Sequence, residues 1–314
     1  MGKDVVIDAS YERILPANAP EEITLHEFFD EQYYPFAKVT KRRPELDKFI
    51  FDKHIRNQIG GLLLSEISPA IMDRWVMTLV GTNNKASTIN KHIFLLNRLL
   101  NLAEGWGYLD ENKFKNRRIK QLKVGEQPQR FLHEREIKML ITACEQDAHP
   151  HIAYFVQLLI LTGARKGEAR LMKWGYVDQQ HGVWVVPLSK NGKKRLITLS
   201  KSALKVLSET KTLNISLNLS TNDDDYVFVN PKTRFSYQSF YAAWHRIRHK
   251  VGLDSVRIHD LRHTYASLLI NNGASIYEVQ KLLGHHHISM TERYAHLLPN
   301  TLHQRVEMLS GLIE

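Results

Sequence analysis

Only one stretch of this chain carries a clear β signal, and helical periodicity brackets it on both sides. In "GVWVVPLSKNGKKRLITLS", residues 182–200, two short β-rich runs meet at Asn191-Gly192. That dipeptide tolerates the positive φ angles of a tight hairpin turn. "DYVFVN", residues 225–230, reads as a further short strand. The expected fold class is therefore mainly α with a small β-sheet, an α+β domain joined to an all-helical one.

The helical domain runs from Glu21 to about Phe114, after a loose leader over residues 1–20. Thr24 followed by Glu27 has the spacing of a capping box. Ser68 then caps a helix with Pro69 in its first position, and Ile71, Trp75, Met77 or Thr78, and Leu79 are expected on one side. Ile89, Ile93, Leu96, Leu99, Leu100 and Ala103 recur at helical spacing. A basic linker follows over 115–129. Between Lys113 and Lys123 stand Lys113, Lys115, Arg117, Arg118, Lys120 and Lys123, with no acidic residue among them. Such a run is a solvated linker, a contact for a phosphate backbone, or both. The second domain spans 130–314 and ends in "TLHQRVEMLSGLIE", an amphipathic tail for its own domain or for a neighbouring subunit.

Lysine and arginine number 43 against 33 aspartates and glutamates, a formal net charge of +10. That surplus favours a polyanionic partner such as nucleic acid. Cys144 is the only cysteine, so no internal disulfide and no cysteine-based zinc site can form. It sits in an apolar pattern and reads as core. The N-terminus has no signal-peptide pattern. The longest apolar run, "IAYFVQLLILTGA", is too short to span a bilayer, so no membrane partner is expected.

The candidate chemistry gathers in the second domain. In "RIHDLRHTYASLL", residues 257–269, a helix starting at His259 or Asp260 puts His259 and Arg262 on one face. Leu261, Tyr265 and Leu268 mark an apolar face. The free N–H groups of a helix start favour an anion at the same place. Asp260 reads as a cap or an orienting partner, and His263 and Thr264 as structural. Further on, Ser275 and Glu278 form a second capping-box spacing, Gly284 stops the helix, and His285 follows at a fixed end. Ser289 and Glu292 are expected to start another helix carrying Tyr294. The run His285–His287 lacks the i, i+4 spacing of a helical zinc pair, so no metal is expected. Arg165 follows a glycine turn in "LTGARKGEARLMKW" and either enters a cleft or pairs with Glu168. Lys190 stands beside the hairpin tip, where a lysine is ordinarily solvent-exposed.

In order, "TGARKGE", the hairpin lysine, "HDLRHTYAS", "LLGH" and "ERYAH" make a specific series. Over residues 22–300 the chain resembles the tyrosine recombinases, in particular the phage and genomic-island integrases. The resemblance implies a core-type DNA-binding domain followed by a catalytic domain. It assigns Arg165, Lys190, His259, Arg262 and His285 to the active site, Tyr294 as nucleophile, and Glu168 as support for the first arginine. It implies a site-specific recombinase that cleaves and rejoins DNA through a 3′-phosphotyrosyl intermediate, with no cofactor, ATP or metal. His259 is the expected acceptor of the Tyr294 proton and Lys190 the expected donor to the leaving oxygen. Expected partners are double-stranded DNA attachment sites, three further copies in a homotetramer, and accessory DNA-bending or directionality proteins, in the bacterial cytoplasm at the nucleoid. The leader is shorter than the arm-site-binding domain many integrases carry. The alternatives are a non-catalytic DNA-binding regulator, a metal-dependent hydrolase built on the histidine cluster, and a type IB topoisomerase.

Overall fold

A computed structural model describes residues 22–113, 122–123, 130–187 and 194–297. The chain divides into two compact units, Met1–Gln127 and Pro128–Glu314.

In the first unit every regular element is helical among the described residues. The Thr24 hydroxyl and the Glu27 carboxylate close the capping box of α1 (Leu25–Glu27). The chain continues through a π-helical turn, Phe28–Tyr33, into α2 (Tyr34–Thr40). Pro35 has no N–H for the preceding turn, and the wider π register ahead of it accommodates that gap. α3 (Pro44–His54), α4 (Arg56–Ile59), α5 (Pro69–Val80) and α6 (Ala86–Gly105) follow. Ser68 caps α5, accepting from the Ile71 N–H at 3.4 Å. The buried stripe of α5 is Met72, Trp75 and Leu79, whereas Met77 is exposed. Of the expected stripe, Trp75 and Leu79 are buried and Ile71 packs half-buried against the core, whereas Met77 and Thr78 are exposed; the Trp75 indole N–H donates to the His54 carbonyl at 2.9 Å. On α6, Ile89, Ile93, Leu96, Leu99, Leu100 and Ala103 all face the core. Lys113 is exposed and donates to the Ser65 carbonyl at 3.1 Å, and Lys123 is exposed. Lys115, Arg117, Arg118 and Lys120 lie outside the described residues.

The second unit is built around α8 (Ile152–Thr162), which packs against α7 (Glu134–Glu145), α10 (Lys201–Ser216) and α12 (Asp260–Asn271). α8 buries residues nearly all round, among them Ile152, Phe155, Val156, Leu158 and Leu159. That continuous apolar character is what a helix at the middle of a core requires. α9 (Lys166–Arg170), α11 (Tyr241–Lys250), α13 (Ile276–Leu283) and α14 (Ser289–Glu292) complete the helical set among the described residues.

The hairpin forms as β2 (Val183–Val186) and β3 (Arg195–Thr198), antiparallel, with Val183 opposite Thr198 and Val186 opposite Arg195. Its tip, with Lys190, Asn191 and Gly192, lies outside the described residues. The third strand is β1 (Val177–Asp178), paired with β2, and not "DYVFVN". That segment makes only isolated bridges, Tyr226 with Lys173 and Val229 with Ser236. Val227, Phe228 and Val229 are consecutive and all buried, so their β-rich composition reports burial in a loop and not a pleated strand. Among the described residues no helix is long and apolar enough to cross a membrane.

Candidate active site

The site begins where α8 stops. Gly163 takes a left-handed conformation (φ +60°) and ends the helix. Two residues later Arg165 caps α9. Its backbone N–H donates to Glu168 at 2.9 Å and its guanidinium to the same carboxylate at 2.7 Å. Burial opposes ionisation of Glu168, but Arg195 and both bonds from Arg165 hold it below the usual carboxylate range.

Arg262 comes in from α12. It is only 4% exposed. One end of its fork donates to the Gly163 carbonyl at 2.6 Å and the other to the Leu283 carbonyl at 2.7 Å. The same Leu283 carbonyl accepts from Arg195, at the start of β3. Sequence reading passed over Arg195, because after Lys193 and Lys194 it reads as one more exposed base of a hairpin. Its burial is the only signal, and that appears only in three dimensions. The Arg195 Nη2 is 3.9 Å from Glu168, and among the described residues neither Nη2 nor Nε has a hydrogen-bond partner. Arg165 and Arg195 thus share one carboxylate, and Arg262, bonded to two carbonyls, lies within the field of all three charges. Burial, then Arg195 and Arg165, push Arg262 down to about 9, which leaves it charged at neutral pH.

The rest of α12 differs from the expected face. Leu261, Thr264, Ala266, Ser267 and Ile270 are buried, while Tyr265 and Leu268 are half-buried. Thr264 is structural, accepting from the Leu132 N–H at 3.0 Å. Asp260 is fully buried and receives the Arg257 backbone N–H and guanidinium. His259, at the N-cap of α12, is exposed. Partial desolvation and the nearby Arg262 lower its pKa.

α13 closes the site from another side. Ser275 and Glu278 cap it reciprocally. Its end turns on Gly284 at φ +62°, where a β-carbon would come within 2.6 Å of the Arg195 guanidinium. Two arginines therefore tie down the end of α13, and His285 follows directly. Its Nδ1 lies 2.8 Å from the buried hydroxyl of Thr291. Burial and then Arg262, Arg165 and Arg195 push His285 down to about 3, so the ring is neutral. Thr291, also passed over in the sequence, links His285 to the segment carrying the tyrosine.

That segment is not the expected helix. α14 covers only Ser289–Glu292, its N-cap is Ile288, and Ser289 makes no cap. Tyr294 lies in the turn beyond it, buried with Ala266, Ile270, Val279 and Leu283. Its hydroxyl is 2.5 Å from Nδ1 of His263, one turn along α12 from His259. The expected contact with His259 is absent from the structure. An i, i+4 step on one helix separates the two rings, so pattern alone could not choose between them. Burial raises the Tyr294 pKa, while Arg262 and Arg293 lower it, so the phenol lies within the field of the arginines.

Arg165, Arg262, His285 and Tyr294 thus converge with Glu168, and His259 stands at their edge; Lys190 lies outside the described residues. Among the described residues no cluster of three metal-ligating side chains occurs. A separate cavity of about 120 Å³, lined by Phe155, Arg170, Trp244 and Ile258 among others, contains none of these groups.

Gly163 joins fold and site. A β-carbon there would lie 2.3 Å from the Tyr265 ring, at a φ that L-residues disfavour. Gly163→Ala is expected to cost about 2–5 kcal/mol, from ~1–2 for the left-handed backbone and ~1–3 for the clash. Chemical denaturation of the full chain checks this, and an unchanged midpoint would refute it.

Comparisons with known proteins place the chain in a family. The Phage integrase family model matches residues 130–301, more than half of the chain. The integrase of Salmonella phage P22 is 27% identical over 294 residues, covering 89% of this chain and 68% of that protein. The tyrosine recombinase XerD of Vibrio cholerae is 31% identical over 180 residues, covering 55% of this chain and 59% of that protein. Among solved structures, the Tn1549 transposon integrase in complex with transposon right end DNA superposes with a TM-score of 0.74 at 14% identity, covering 93% of this chain and all of that one. With guanidiniums, imidazoles and a tyrosine gathered on this fold, the chain belongs to the phage integrase family, the tyrosine recombinases that break and rejoin DNA at specific sites through a phosphotyrosyl link.

Proposed function

We propose that Arg165, Arg262 and His285 hold a DNA phosphodiester and that Tyr294 attacks its phosphorus. The observation that carries this reading is the surplus of buried guanidinium charge beside the tyrosine. Three cations around one carboxylate are costly unless an anion joins them. A bound phosphodiester supplies it, and planar forks match its non-bridging oxygens. The Thr291 contact orients the His285 ring, whose Nε2 then serves as a further donor. His259, exposed at the start of α12, meets the phosphate or the sugar from the edge of the site. Each such preorganised donor is commonly worth a factor of about 10²–10³ in rate.

In cleavage, Tyr294 Oη bonds to phosphorus and the bond to the 5′ oxygen breaks. Lys190 gives that oxygen a proton, and a 5′-hydroxyl and a 3′-phosphotyrosyl ester result. The ester keeps the bond energy, so rejoining requires no ATP. The second unit is the catalytic domain. The first is a core-type DNA-binding domain that the basic run Lys113–Lys123 extends along the phosphate backbone. Double-stranded attachment sites are the substrate, by analogy with the DNA-bound relative, and the family resemblance adds a tetramer with accessory DNA-bending or directionality proteins.

The test is a nicked duplex carrying the repeated sequence that borders its gene, incubated with the full chain in EDTA. A denaturant-resistant protein–DNA adduct is expected. Binding without an adduct would favour the non-catalytic regulator, and an adduct that EDTA abolishes would favour metal chemistry.

A further inference from the structure

His263 touches the reacting atom. Its Nδ1 is 2.5 Å from Tyr294 Oη, and among the described residues that hydroxyl has no other hydrogen-bond partner. The rings pack with centroids 5.7 Å apart. His263 stands next to Arg262 on α12, so the helix that positions the phosphate clamp also positions this imidazole. The Thr291–His285 bond holds the tyrosine segment against the same clamp. We propose that His263, and not His259, is the general base that takes the phenol proton when Tyr294 attacks DNA.

The proposal rests on Tyr294 being the nucleophile. As the Oη–phosphorus bond forms, the O–H proton passes to Nδ1 and His263 becomes an imidazolium. The phosphorus–O5′ bond breaks, and O5′ takes its proton from the general acid. In rejoining, the 5′-hydroxyl attacks, its proton returns to that acid, and the departing Tyr294 oxygen recovers its proton from His263. No proton is gained or lost over the cycle.

The surroundings suit an acceptor. His259, Arg257 and Asp260 face His263 from the start of α12, and Arg293 and Tyr294 from the segment beyond α14. Burial and then His259 push the ring down to about 4, against the pull of Asp260. Its lone pair is therefore available at neutral pH and is lost as pH falls through about 4. His259 sits 5.3 Å away, edge-on, and is exposed, so it can pass charge from the half-buried ring towards solvent.

His263→Asn retains an acceptor near the Nδ1 position but no basic nitrogen. In the full chain it should melt like the parent and bind the nicked duplex equally well. It should form the adduct about 10²-fold more slowly at pH 7. Its rate should then rise tenfold per pH unit, because tyrosinate must form unaided. In His263→Ala, which opens space at the ring, added imidazole should restore adduct formation. Parental rate and pH profile in His263→Asn would overturn the proposal. So would a slow variant that is flat with pH, together with no imidazole rescue, since that is the behaviour of a packing residue. Tyr294→Phe separates the two readings. An adduct from it removes the nucleophile assignment itself, whereas an inert Tyr294→Phe beside a fast His263→Asn removes only the role of His263.

Discussion

Tyr294→Phe is expected to form no covalent DNA adduct at any time or enzyme concentration, while native gels show the parental affinity for the same duplex. The substitution removes one oxygen. The ring stays among Ala266, Ile270, Val279 and Leu283, where phenylalanine packs as well as tyrosine. The hydrogen bond to His263 is lost, which leaves one partly buried acceptor unmet at a cost of about 1–3 kcal/mol. A fold built on three apolar clusters absorbs that. None of the clamp groups changes: Arg165 still pairs with Glu168, and Arg262 still reaches Gly163 and Leu283. A denaturing gel carrying labelled DNA reads the result, and any shifted band from this variant would show that another residue attacks.

Arg262→Ala is expected to slow adduct formation by about 10²–10³-fold, and Arg262→Lys by nearly as much. A lysine retains the charge but offers a point where the site uses a fork. The fork spans the Gly163 carbonyl at the end of α8 and the Leu283 carbonyl at the end of α13, and one ammonium cannot hold both at 2.6 and 2.7 Å. Losing the Leu283 bond leaves the α13 end that places His285 held by Arg195 alone, and losing the Gly163 bond releases the guanidinium from the end of α8. Single-turnover rates on the nicked duplex, with DNA saturating, separate chemistry from binding. A lysine variant within about tenfold of the parent would mean that charge alone suffices and that the clamp geometry is not used.

How legible the molecule was in its sequence differs from residue to residue. Capping at Thr24, Ser68 and Ser275 and the stop at Gly284 could be read directly, because each is a bond between residues three or four apart. The hairpin could be read for the same reason. The third strand could not: Val177–Asp178 is two residues long, and only its pairing with β2 makes it a strand. Tyr294 was placed on a helix by the spacing of Ser289 and Glu292, yet α14 ends before it, since the ring is drawn into the pocket beneath α12 and α13. Arg195 and Thr291 were missed because neither has a local partner that would mark it. Their contacts, Leu283 and His285, lie 88 and 6 residues away.

By itself the sequence determined the helical character of both units, the β2–β3 hairpin, the ends of the main helices, and the ordered motifs that identify the family. All of these depend on neighbours within a few residues, where periodicity and side-chain chemistry act directly. Only the tertiary structure decided that Arg195 is buried with Arg262 beside Arg165, that two of these arginines meet on one carbonyl, and that the phenol of Tyr294 turns to His263 instead of His259. Those choices depend on which side chains lose water together, and desolvation is a property of packed surfaces that no interval along a chain records.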